Sequence, residues 1–222
     1  MRILQGTSNY IFPAFLIILL HVLLGCTPAP PRISSVRNAV MLYHDPESGI
    51  VTPRLSLFAS VSDDDGLEDI ASWELRDPTE RIVWSAPTEL LDVRSTDDGR
   101  VWVGSSAVSY PVGTGPVFGV HELIVRDLAG LSEQIRFEVF SLDYQEVVGL
   151  LQGIDPGELS AGDGIAADRL SFRIYDNTGT AVSDVADNFE SAISAAGEGA
   201  TGYIHAYLER SNIWIVSGPY RR

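Results

Sequence analysis

Asp63-Asp64-Asp65-Gly66-Leu67-Glu68-Asp69 crowds five carboxylates around a single glycine. Calcium binding is the chemistry such a run can do, because this hard cation takes about six to eight carboxylate, carbonyl or water oxygens. The EF-hand arrangement does not fit. With Gly66 set on the loop glycine, the first ligand position falls on Val61 and the bidentate glutamate position on Ser72. What remains is a site assembled between strands from Asp63 and Asp65 with Asp127, or with Asp97. Asp-Gly runs also turn the chain between strands with no metal at all. The primary expectation is therefore a chain without cofactor, with calcium at Asp63, Asp65 and Asp127 as the secondary one.

Tyr203-Ile204-His205-Ala206-Tyr207-Leu208-Glu209 offers a different chemistry. An extended chain alternates its faces, so Tyr203, His205 and Tyr207 line one side and Ile204, Ala206 and Leu208 the other. The aliphatic side belongs against a core. The aromatic side, with Trp214 and Tyr220 nearby in sequence, can stack on a sugar ring or on the side chains of a partner protein. Cross-strand pairing of aromatics within a hairpin accounts for the same residues without any ligand.

Signatures of covalent and metal catalysis are missing. There is no G-x-S-x-G, and His44, His121 and His205 stand on separate segments. His121-Glu122 opens like a zincin motif but no histidine follows at the required spacing. Gly197-Glu198-Gly199-Ala200-Thr201-Gly202 matches G-x-G-x-x-G by letter, yet a helix is expected before it and a strand after it, the reverse of a nucleotide loop. All fifteen basic residues are arginine, so Schiff-base chemistry and the P-loop lysine are excluded. A formal net charge of −15 repels phosphate backbones and argues against nucleic acid as a partner. The chain is not expected to be an enzyme; an envelope hydrolase is the third reading, behind two binding readings.

Cys26 is the single cysteine of the 222 residues and ends the run Leu23-Leu24-Gly25-Cys26. Before it lie Arg2 as the only charge and an apolar block from Ile11 to Leu24. Positive start, apolar middle and small residue before the cut site are the layout of a secretory signal peptide. The block is shorter than the roughly 20 apolar residues a spanning helix needs, and contains Pro13 and His21. The Leu-Leu-Gly-Cys end resembles the lipobox of bacterial lipoproteins. Leu24 departs from it, standing where that family more often has a smaller or β-branched residue. The resemblance implies cleavage before Cys26, a diacylglycerol on its thiol and an acylated amino group. Two or more acyl chains hold a protein stably on a bilayer where one does not. A membrane partner and an envelope location, outer membrane or cell surface, follow as expectations. Residues 1–25 are then the signal peptide and 26–32 a tether, with Pro28, Pro30 and Pro31 favouring an extended spacer.

The elements that must position these groups are mainly strands. Leu55, Leu57, Ala59 and Val61 alternate with Ser56, Phe58 and Ser60. Runs at 39–43, 70–75, 82–84, 101–103, 121–125 and 134–140 bring the count over 33–142 to about seven strands, an antiparallel β-sandwich. Val61-Ser62-Asp63-Asp64-Asp65-Gly66-Leu67, Trp73 and Arg126-Asp127-Leu128-Ala129-Gly130 resemble the immunoglobulin-like or fibronectin-III-like modules of bacterial surface proteins, which implies a fold with Trp73 in its core and no particular activity. Residues 143–222 read as a small α+β region, either independent or docked so as to extend the sandwich sheet. It is expected to hold one helix capped by Ser183 (Val185, Phe189, Ile193, Ala196) and about three strands at 170–175, 201–209 and 213–217. The leading reading is a non-catalytic binding or structural module of the envelope with a protein or glycan partner. The carbohydrate reading uses Tyr203, His205, Tyr207 and Trp214.

Overall fold

The computed structural model describes residues 29–97, 99–111, 115–141, 144–153, 167–183 and 189–221. Cys26 and the leader lie outside them. Period-two alternation makes strands throughout: β1 (Arg32–Asp45), β2 (Ile50–Ser62), β3 (Ile70–Arg76), β4 (Ile82–Pro87), β5 (Asp92–Ser95), β6 (Val101–Val108), β7 (Gly119–Asp127) and β8 (Ser132–Val139). After a helix α1 (Tyr144–Gly153) come β9 (Arg169–Tyr175), β10 (Ala181–Ser183), a short helix α2 (Phe189–Ala195), β11 (Thr201–Leu208) and β12 (Ile213–Arg221).

Two sheets result. The smaller has the order β4-β3-β7-β8 and is wholly antiparallel. The larger has the order β10-β9-β11-β12-β1-β2-β6-β5. Its one parallel pair is β1 with β12, in register from Val40 opposite Ile213 to His44 opposite Ser217. Between the sheets, Leu42, Leu55, Leu57 and Val103 meet Trp73, Leu75, Leu123 and Val125, all buried. Trp73 sits in the core as expected. The same apolar cluster continues through Ile204, Ile213 and Ile215 to Phe172 and Phe189.

The C-terminal region differs from the expected one helix and three strands. It contains two helices and four strands among the described residues, and its strands continue the larger sheet. Helix α1 was not expected. Its Val147 and Leu151 are buried one turn apart, while Gly149 and the exposed apolar Leu150 blur the periodic signal. Ser183 and Val185, expected at the start of the second helix, belong respectively to β10 and to the segment outside the described residues.

One turn design recurs in the hairpins β3–β4, β7–β8 and β9–β10. The backbone N–H of a leading aspartate donates to the carbonyl four residues on, as in Asp77 to Arg81, Asp127 to Leu131 and Asp176 to Thr180. The fourth residue of each loop donates back to the aspartate carbonyl and adopts a left-handed conformation. The aspartate carboxylate then accepts backbone N–H groups of its own loop, such as Thr79 at 2.8 Å on Asp77 and Thr180 at 2.9 Å on Asp176. The left-handed position is Gly130 (φ 87°) and Gly179 (φ 81°) in two loops, but Glu80 (φ 63°) in the third. A side chain there costs about 1 kcal/mol relative to glycine. Glu80→Gly should therefore raise the melting temperature by roughly 2–4 °C, a shift that differential scanning calorimetry reads directly.

Candidate ligand groove and acidic cluster

β1 changes neighbours halfway along. From Val40 onward it pairs with β12, whereas its first half runs beside β8, where the Ile33 N–H donates to Glu133 Oε2 and Asn38 Nδ2 donates to the Glu138 carbonyl. At the handover Asn212, in the β11–β12 turn, accepts from the Val40 N–H and donates through Nδ2 to the Asn38 carbonyl. A groove of about 510 Å³ opens here on the outer face of the larger sheet, bordered by Phe140 at the end of β8.

Its walls are aromatic and cationic. Tyr207 and Trp214 are directly opposite across β11 and β12 and stack with centroids 4.7 Å apart at 27°. On the other side, the Arg37 guanidinium lies 4.2 Å over the Trp102 ring and that of Arg94 lies 4.0 Å over Phe58. Such contacts are worth about 0.5–1 kcal/mol each at an exposed site. Trp102 and Phe58 are only 4% and 7% exposed, so each arginine stem and head shields an aromatic that would otherwise face water. Arg94 is ion-paired to Asp92 at 3.4 Å; Arg37 has no carboxylate in ion-pairing range among the described residues. Ser56, Thr96, Asn38 and Asn212 add polar groups to the lining.

Of the four aromatic-strand residues expected to form one surface, Tyr207 and Trp214 line the groove and Tyr203 and His205 do not. Tyr203 makes an edge contact with Tyr175, 6.1 Å away, and His205 lies between, its pKa lowered by burial and then by Arg173. Tyr220 belongs to the opposite face, against Phe189 at 5.1 Å. Phe58, Trp102, Arg37 and Arg94 were not expected. The signal for Phe58 is present in sequence: it is a large apolar residue between Ser56 and Ser60 on the serine-bearing face of β2.

The acidic run forms a second candidate. Asp63, Asp69 and Asp127 each offer a carboxylate oxygen within 4.8 Å of the others. Asp69 takes the place expected of Asp65, because the short helical turn Leu67–Asp69 carries Asp69 back toward β7. The Leu128 N–H fixes that approach by donating to the Asp69 carbonyl at 2.8 Å, while Asp65 contributes its backbone N–H to Asp63 Oδ1 at 2.9 Å. Asp69 titrates above the usual carboxylate range, through desolvation and the charges of Asp63 and Asp127.

A buried chain of polar groups lies on the inner face. His44 Nδ1 stands 2.8 Å from Ser217 Oγ, which is 2.6 Å from Tyr220 Oη. A histidine beside a serine is the pairing nucleophilic catalysis needs, but His44 is 3% exposed and Ser217 fully buried. His121 occupies separate surroundings, between Tyr110 Oη at 3.3 Å and the Gly119 carbonyl at 3.1 Å.

No protein-family model and no curated protein matches the chain. Among solved structures, dimeric latent PorU from Porphyromonas gingivalis is similar with a TM-score of 0.32 and 14% sequence identity. The match takes in 98% of this chain and 22% of that one.

Burial lowers the pKa of both His44 and His121. Both are then neutral in the fold and bind protons more readily once unfolded. Their contribution is complete above the ordinary value of 6.5 and is lost progressively as pH falls below it. Urea midpoints should fall between pH 7.5 and 5.5, about one unit either side of the ordinary histidine pKa. The fall should be smaller in His44→Gln.

Proposed function

We propose that this chain is a non-catalytic binding module of the bacterial envelope, held to the membrane by lipid on Cys26, and that its ligand is a glycan seated in the groove beside Tyr207 and Trp214. One observation carries this reading. A stacked Tyr207–Trp214 platform faces an arginine-sheathed Phe58 and Trp102 across a cavity large enough for a sugar unit or two. Aromatic faces pack on the C–H faces of a pyranose ring, and the amides of Asn38 and Asn212 suit its hydroxyls. The Arg37 and Arg94 forks suit a carboxylate, so an acidic sugar fits better than a neutral one.

Other features support the wider setting. Two sheets closed over Trp73 are in keeping with an immunoglobulin-like module, a fold that serves recognition in many unrelated proteins. The Leu23-Leu24-Gly25-Cys26 ending supports export and acylation. No helix among the described residues is long and apolar enough to cross a membrane. Against a hydrolase stands the position of the His44–Ser217 pair, which lies on the core side of β1 and β12 and lines none of the described cavities.

Glycan arrays probed with the purified protein should show retention of uronic-acid-containing oligosaccharides. Trp214→Ala should weaken that binding about tenfold, equivalent to roughly 1.4 kcal/mol. Unchanged binding in Trp214→Ala, with the circular dichroism spectrum intact, would reject the groove as the site. The anchor is tested separately: intact mass spectrometry of the native molecule should find a chain beginning at Cys26 and carrying acyl groups. A free thiol or a retained leader overturns that part.

A further inference from the structure

We propose that Asp63, Asp69 and Asp127 form a calcium site that pins the β2–β3 connection to the β7–β8 turn. Two aspartates in the same turn design meet different surroundings. Asp77 and Asp127 both lead a hairpin loop, and both are buried, at 3% and 2% exposure. In each, Oδ1 is held by a backbone N–H of the loop: Arg81 at 3.1 Å on Asp77, Leu131 at 2.7 Å on Asp127. They part company at the second oxygen. Asp77 Oδ2 receives the Arg81 guanidinium at 2.8 Å, whereas Asp127 Oδ2 is buried with no partner.

A buried carboxylate oxygen without donor or counter-charge is costly, and what surrounds this one is more carboxylate. Asp63 repeats the pattern, with Oδ1 accepting from Asp65 N–H and Oδ2 buried without a partner. Among the described residues no arginine forms an ion pair with any of the three; the neighbouring Arg126 donates to the Gly130 carbonyl instead. A cation at this point would do for Asp127 what Arg81 does for Asp77.

The geometry selects which cation. Oxygens on one calcium ion, at about 2.3–2.6 Å from it, are at most about 5 Å apart. The three carboxylate oxygens, all within 4.8 Å of one another, meet that limit together. Magnesium demands a tighter octahedron and keeps most of its water, so three converging carboxylates favour calcium. Asp63 and Asp69 are only half-buried, leaving a side from which water completes the shell. The ion would join loops that the Leu128-to-Asp69 hydrogen bond already aligns. The site owes nothing to the glycan groove, and either can fail alone.

The test is thermal melting of the full-length protein purified in detergent, in EDTA and in about 10 mM CaCl₂, well above the ~0.1–1 mM affinities of extracellular calcium modules. Calcium should raise the melting temperature of the wild type by about 5 °C. In EDTA, Asp69→Asn should melt above the wild type, since it removes one of three mutually repelling charges. In calcium the order should reverse. Absence of a calcium-dependent rise overturns the site, and so does an equal rise in wild type and Asp69→Asn, which would mean ions scattered over the acidic surface. An equal rise in MgCl₂ overturns the assignment to calcium.

Discussion

Five paired positions between β1 and β12, Val40–His44 against Ile213–Ser217, decide the shape of everything C-terminal to the sandwich. The partners lie far apart in sequence, with His44 and Ser217 separated by 173 residues. The length-dependent entropy of closing such a loop is about 4–5 kcal/mol. Burial of Ile213 and Ile215, both fully inaccessible, offsets that cost at roughly 2–3 kcal/mol each. The buried His44–Ser217–Tyr220 chain satisfies the polar groups that the same ladder carries into the interior. The ladder also creates the groove. Its Tyr207–Trp214 wall comes from strands near the C-terminus, its Arg37 and Phe58 wall from strands near the start, and only this pairing sets them face to face.

The net charge of −15 and the character of the groove point in opposite directions, and distance reconciles them. In physiological salt the field of the whole surface fades over about 8 Å. The charged residues lining the groove are Arg37 and Arg94, the latter paired to Asp92, with Arg169 5.7 Å from the Tyr207 ring at its margin. An anionic ligand of the proposed kind would be repelled in the approach and attracted on contact. That arrangement favours selectivity over speed of capture, since long-range steering sets association rates while close bidentate contacts set residence.

Local patterns were readable and remote ones were not. Alternation at Leu55–Val61 and Tyr203–Leu208 fixed which side chains face the core, and the buried Leu55, Leu57, Ile204 and Ala206 follow it. The Tyr207–Trp214 stack was within reach for the same reason, because a short turn sets the register of a hairpin. Tyr220 was misplaced because an irregularity between Gly202 and Ile204 shifts that register, and the alternation counted from Trp214 no longer applies. The remaining wall of the groove needed knowledge of which strands are neighbours. Nothing in the residues around Arg37 announces Trp102. The acidic cluster shows the same division: the composition of 63–69 marks its location, whereas the convergence of Asp69 rather than Asp65 depends on one helical turn that no periodicity reveals.

The position of that cluster bears on how an anchored molecule would sit. Arg32, the first residue of β1, pairs with Ser62, the last residue of β2. The acidic loop starting at Asp63 therefore lies at the end of the sandwich where the tether enters. The six steps from Cys26 to Arg32 span at most about 20 Å when extended. Were acyl chains on Cys26 to anchor the chain, its densest run of negative charge would be held near a bilayer surface that is itself commonly anionic. Repulsion across a Debye length would push that end outward and stretch the proline tether. A divalent ion among Asp63, Asp69 and Asp127 would offset two of the three charges converging there and let the sandwich settle closer. In a molecule anchored that way, the tether would set the longest distance between fold and membrane, and the charge state of these three aspartates would set how much of that length is used.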